Sequence, residues 1–139
     1  MMRRTLQRLC GHDRGQALVE FAVVAPLLLF LLLGIVDMAR AWNAFQVLTD
    51  AGREGTRLAV VDNGSTDAEV RAVIQLAAAR AGITVADQAI TLNEGAARGE
   101  PTTVTIAYGH ELRWVGWALG LFGADRTINF NVVSTMRRE

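Results

Sequence analysis

The sequence predicts an α+β protein: a long N-terminal transmembrane helix that continues into a small head of one further helix and a three-stranded antiparallel sheet. Three observations carry this. Residues 16–36, QALVEFAVVAPLLLFLLLGIV, form an apolar run with a single charge, Glu20. Thr66-Asp67-Ala68-Glu69 opens a second helical pattern with a capping box. Three later segments alternate apolar and polar residues with the period of two of a half-buried strand. With 139 residues, 51% of them hydrophobic, the chain has room for one small domain and is too apolar to be disordered.

The span comes first. At about 1.5 Å rise per residue, residues 16–36 extend about 31 Å, the thickness of a bilayer's hydrocarbon core. Ahead of them Arg3, Arg4, Arg8 and Arg14 face Asp13, so residues 1–15 are strongly basic. A basic flank before a single span holds the N-terminus in the cytoplasm and exports the rest. The expectation is a single-pass protein of the cytoplasmic (inner) membrane with an extracytoplasmic C-terminal head. Its parts are a basic cytoplasmic leader (residues 1–15) open to cleavage, the transmembrane helix (16–36), an exported continuation of that helix (37–61) and a small α+β head (62–139). Pro26 lies inside the span and predicts a helix kink, because proline removes one helical donor yet is tolerated among membrane helices.

The helical pattern runs on beyond the span. Ala44, Leu48, Ala51, Gly55 and Leu58 recur at helical spacing. Asp37–Arg40, Asp50–Arg53 and Glu54–Arg57 place opposite charges three residues apart. Trp42 falls about one turn past the span, where aromatic side chains anchor at the interface. Asp62-Asn63-Gly64 reads as a turn. The second helix starts at Thr66, carries Val70, Val73, Ile74, Ala77 and Ala81 as its apolar stripe, and stops at Gly82. The strands centre on Ile90 and Leu92, on Val104, Ile106 and Tyr108, and on Ile128, Phe130 and Val132, with residues 94–101 as a hairpin loop.

Residues 112–123, LRWVGWALGLFG, are apolar and aromatic but too short to cross a membrane. Two readings are open. Trp114 and Trp117 tuck into the core of a head with few other large side chains, or Trp114, Trp117 and Phe122 form an exposed contact patch for a partner or the bilayer surface.

Composition excludes other classes. Fourteen Arg balance fourteen acids, so the basic excess of a nucleic-acid binder is missing. The single Cys10 gives no disulfide framework, and His12 and His110 are too far apart in sequence for metal-ligand spacing. Gly52-Arg53-Glu54-Gly55 matches the four letters of an RNA-binding G-x-x-G loop but stands in a helical pattern with no supporting fold. No nucleophile elbow, zinc-protease helix or P-loop is present, so no catalytic residue, metal, cofactor or small-molecule substrate is expected.

The residues at the leader–span junction are more specific. Arg14-Gly15-Gln16-Ala17-Leu18-Val19-Glu20-Phe21 joins a basic leader ending in Gly to an apolar helix with Glu as the fifth residue after that Gly. This resembles the class III signal of type IV prepilins. More narrowly, RGQALVEFAVVAPLLLFLLLGIVDMARAWNAF is similar to the start of TadE-like proteins of the tight-adherence (Flp) pilus system, and the C-terminal VSTMRRE is similar to the way many of them end. The resemblance implies a type IV pilin-like fold and a structural role as a minor pilin, a pseudopilin or a membrane assembly component of that pilus and secretion machinery. It implies that a prepilin peptidase, an aspartic enzyme at the cytoplasmic face, cuts between Gly15 and Gln16. It implies that Glu20 pairs with the α-amine of a neighbouring subunit. The partners are then the membrane, the peptidase, other pilin-like subunits and tight-adherence assembly proteins. Phe21 stands where the major pilin of the system usually has Tyr, which fits a minor member better than the bulk fibre subunit. Two other readings of the same segments are an unprocessed bitopic anchor whose extracytoplasmic head binds a partner, and a secreted module cleaved by signal peptidase near Ala41.

Overall fold

The structure is a computed structural model that describes residues 13–61, 65–95, 99–121 and 123–137. Cys10, His12 and the Asp62-Asn63-Gly64 turn lie outside the described residues, as does Phe122. A single helix, α1, covers Asp13–Val61 with Pro26 inside it. The chain divides into two compact units, Met1–Val36 and Asp37–Glu139.

In the first unit, residues 16–36 are exposed apart from partly covered Ala25, Leu33 and Gly34. The helix is long and apolar enough to cross a membrane, and none of its most apolar window is buried. A bare apolar surface of this length is unfavourable in water and at home in lipid, where the helix also satisfies its own backbone. Helix continuity through Pro26 leaves the Ala22 carbonyl without its helical donor.

In the second unit α1 becomes one-sided. Ala41, Ala44, Leu48, Ala51, Gly52, Gly55, Thr56 and Ala59 are buried, while Leu58 is half-buried. The buried Thr56 hydroxyl donates to the Gly52 carbonyl at 2.7 Å, so no polar group is stranded in the stripe. Helix α2 (Asp67–Arg80) starts with the expected capping box: the Thr66 side chain accepts from the Glu69 amide, and the Glu69 carboxylate accepts from the Thr66 amide at 2.8 Å. It buries Val70, Ile74 and Ala78, with Val73 and Ala77 only half-buried and Ala81 exposed. The stripe is thus narrower than the sequence predicts, a strict four-residue spacing facing α1. Gly82 ends the helix with φ +74°, and the Ile83 and Gly82 amides donate to the Ala78 and Ala79 carbonyls. This Schellman closure turns Ile83 back into the core.

A 3₁₀ turn, Asp87–Ala89, leads into the sheet. Strands β1 (Ile90–Asn93), β2 (Pro101–Glu111) and β3 (Thr127–Arg137) form an antiparallel meander in the order β1-β2-β3. The register runs from Pro101↔Arg137 to Glu111↔Thr127 between β2 and β3, and Ile90 faces Ile106 on the other edge. One face carries buried Ile90, Thr102, Val104, Ile106, Val132 and Ser134. A third helix, α3 (Gly116–Leu121), lies in the connection between β2 and β3. The predicted fold class is the one observed.

The small residues of α1 set how closely its neighbours approach. A Cβ built on Gly55 would stand 2.6 Å from Ile74 Cδ1 and closer still to Ile74 Cγ1, so α2 packs on this glycine. A Cβ on Gly52 would meet Ile106 Cδ1 at 3.5 Å, an ordinary contact with the sheet. The two positions therefore respond oppositely. Gly55→Val should destabilise the head by about 1–3 kcal/mol through overpacking. Gly52→Ala should be neutral or stabilise by up to about 1 kcal/mol through helix propensity. Denaturant unfolding of the detergent-solubilised full chain measures both.

Candidate functional site

Gly15 and Gln16 lie in the first turn of α1, and both are exposed. The first turn of a helix has amides without intrahelical partners, so unwinding it to present the Gly15–Gln16 bond costs little. Glu20 follows one turn on, with its side chain exposed on the span. Among the described residues its carboxylate makes no hydrogen bond or ion pair. Four residues along a helix place it about 6 Å in depth beyond Gln16.

A site that sequence reasoning missed sits at the other end of the span. Asp37, the first residue after the apolar run, is buried at 2% exposure. Its Oδ2 accepts from the backbone amides of Trp114 and Val115, both at 2.8 Å. The Val115 carbonyl in turn accepts from the Ala118 and Leu119 amides, so Val115 is the residue that caps the start of α3. Asp37 thus satisfies orphan amides at the start of that helix, as an N-cap side chain does, from 78 positions away in sequence. Burial alone would raise its pKa. The amides of Val115, Trp114 and Arg113 and the positive charge of Arg40 outweigh that and hold the carboxyl below its ordinary 3.8. Asp37 Oδ1 has no hydrogen-bond partner among the described residues.

This corrects one pairing. Asp37 forms no close ion pair with Arg40, which acts on it only through its charge. Of the three charge pairs expected on α1, Asp50 and Arg53 meet, at 3.4 Å and exposed. The sequence signal for Asp37 was a carboxylate flush with the end of an apolar run. Its partners are backbone groups of a distant loop, which leave no mark in side-chain identity.

Tethering by Asp37 leaves the tryptophans outside. Trp114 is 51% and Trp117 60% exposed, and Leu121 is more exposed than either. The reading that tucks the two tryptophans into the head's core is therefore overturned; small aliphatic side chains from α1, α2 and the sheet fill that core instead. Nearby on α1, Met38, Ala41, Trp42 and Phe45 join Ile128 and Phe130 around an apolar groove of about 180 Å³. Phe45 meets Phe130 edge-on at 5.7 Å, and Trp42 stacks at a tilt on Phe45 at 5.9 Å. No group of three or more metal-ligating side chains occurs among the described residues.

Residues 15–57 match the model of the TadE-like protein family. The resemblance expected from the sequence is borne out over this segment. The TadE-like segment begins at Gly15, takes in Glu20, Pro26 and Asp37, and ends on the small-residue stripe of α1. The match suggests a protein associated with the Tad pilus. No curated protein and no solved structure matches the chain.

Asp37 gives this TadE-like segment a testable anchor. Asp37→Ala strands the Trp114 and Val115 amides and should cost the 112–121 region about 1–3 kcal/mol of local stability. Asp37→Asn keeps an acceptor and should cost less. Because the folded-state carboxyl titrates below 3.8, the wild-type contact is fully present above that value and is lost as the pH falls through the lower, folded-state pKa. Hydrogen exchange at the two amides, corrected for intrinsic rates, should show protection from neutral pH down to about 3.8 and its loss only in stronger acid.

Proposed function

We propose that the chain is a pilin-like structural component of the tight-adherence pilus machinery, a minor pilin, pseudopilin or membrane assembly component, and not an enzyme. In this reading residues 1–15 are a cytoplasmic leader, 16–36 span the inner membrane, and 37–139 lie outside it. The observation that carries the reading is the family match that starts at Gly15, with an exposed, unpaired Glu20 one turn further along a lipid-compatible helix. A glycine lets a peptidase approach the backbone closely, and the basic leader holds the bond on the cytoplasmic side. The new amine on Gln16 then carries a positive charge. A carboxylate in a span is expensive unless it finds a partner, and the amine of a neighbouring subunit is such a partner. In low dielectric the pair selects one stagger between adjacent helices, because any other leaves a charge uncompensated.

Two observations weigh against a secreted module released near Ala41. Ala41 is buried in the head unit, and Asp37 is bonded to the start of α3. A cut at that point would remove the carboxylate on which the 112–121 region hangs.

Glu20→Gln separates a pairing carboxylate from a tolerated one. Pairing predicts that cleavage after Gly15 persists, since the scissile bond is a full turn away. Pilus formation and in vivo crosslinking from the head should fail, with a loss of about 3–5 kcal/mol per subunit contact as for one broken partner of a buried pair. A gel shift reads the first and crosslinking the second. Normal assembly of the variant would reduce Glu20 to a residue that snorkels to the interface, where losing the charge lowers the insertion cost.

A further inference from the structure

We propose that the 112–121 region is a membrane-interface collar: Trp114, Trp117 and Leu121 sit in the headgroup layer of the bilayer that α1 crosses, on the side of the head. The inference rests on the span alone and needs no pilus partner.

The placement follows from covalent adjacency. Asp37 is the next residue after the lipid-compatible run ends at Val36. Its carboxylate holds the Trp114 and Val115 amides at 2.8 Å. The collar therefore starts within one side-chain length of the point where the helix leaves the hydrocarbon. Trp42 is six residues past Val36, about 9 Å along the helix. A bilayer exceeds its hydrocarbon core by about 10–15 Å over both faces, so the polar layer on one side is about 5–7 Å thick: the contact at Asp37 falls within it and Trp42 at its outer edge.

Composition supports the same occupant. The sequence contains three tryptophans, Trp42, Trp114 and Trp117. Each is half exposed or more, with Trp42 at 62%. Met38, also on α1 and exposed, adds apolar surface beside the groove at Trp42. Tryptophan favours the headgroup level, where its ring is shielded and its N–H stays wet. In water such a cluster of exposed tryptophan, leucine and methionine is unfavourable; against lipid it is covered.

The charges determine the lipid preference. Arg40, Arg113 and Arg126 accompany the collar, and Glu111, Asp125 and Asp37 accompany them. With the signs balanced, no anionic headgroup is needed, and the aromatic and aliphatic side chains supply the attraction. A polybasic surface would behave differently, strengthening with every anionic lipid added.

Tryptophan emission from the full chain in vesicles tests this. Two single-tryptophan variants suffice: Trp42→Phe with Trp117→Phe leaves Trp114, and Trp42→Phe with Trp114→Phe leaves Trp117. The vesicles are zwitterionic phosphatidylcholine brominated on the acyl chains near the headgroup, with iodide supplied on both faces. The collar predicts loss of most emission to the brominated lipid, little quenching by iodide, and no change when part of the lipid is replaced by an anionic one. Strong iodide quenching in the wild type and both variants would overturn it, since the tryptophans then face water. Quenching by neither agent would also overturn it, because a protein surface, a second copy included, then covers them. Quenching that appears only with anionic lipid would refute the charge-neutral account.

Discussion

Helix α1 must be compatible with two surroundings, and Asp37 is where it changes from one to the other. On the N-terminal side residues 16–36 are apolar apart from Gln16 and Glu20, and almost all of them are exposed. From Ala41 onward a stripe of small residues is covered by the sheet and α2, while Trp42 and Val61 stay exposed. A carboxylate at this point is costly unless it is hydrogen-bonded, and two backbone amides from the β2–β3 connection donate to one of its oxygens, Oδ2. That bond ties the residues just before α3 to the point where the apolar run ends.

The head above it is built from small parts. Ala44, Ala51, Gly52, Gly55 and Ala59 keep α1 thin where α2 and the sheet approach, and Leu48, Ile74, Ile90 and Ile106 supply most of the large, fully buried side chains. Arg71 ties α2 to the turn before β1 by donating to the Asp87 and Ile90 carbonyls. The outer face of the sheet carries threonines, with Thr103 and Thr135 bonded across β2 and β3 at 3.1 Å. The groove beside Trp42 is lined by apolar and aromatic side chains alone.

Most of the architecture was legible because it is local. The apolar run, the Thr66–Glu69 capping box and the period-two strands are all written within a few residues of where they act, and each appears as expected. Two features were not local. The stripe on α2 narrows to Val70, Ile74 and Ala78 because Gly55 on α1 lets Ile74 approach, a constraint written on another helix. Trp114 and Trp117 were ambiguous because aromatic composition is the same whether a loop folds inward or is pulled outward. The bond that decides between these lies between Asp37 and main-chain amides, to which any residue type could contribute. At the junction, Gly15, Gln16 and Glu20 were legible as a pattern of types and spacing, since their expected partners belong to other chains.

Processing at Gly15 separates a pilin-like subunit from a plain membrane anchor. The most direct measurement is the intact mass and N-terminal sequence of the protein isolated from membranes that contain its own prepilin peptidase. The expected chain begins at Gln16 and retains the full span. A chain that keeps its leader would contradict the pilin-like reading and leave a bitopic anchor, and one that begins near Trp42 would contradict both.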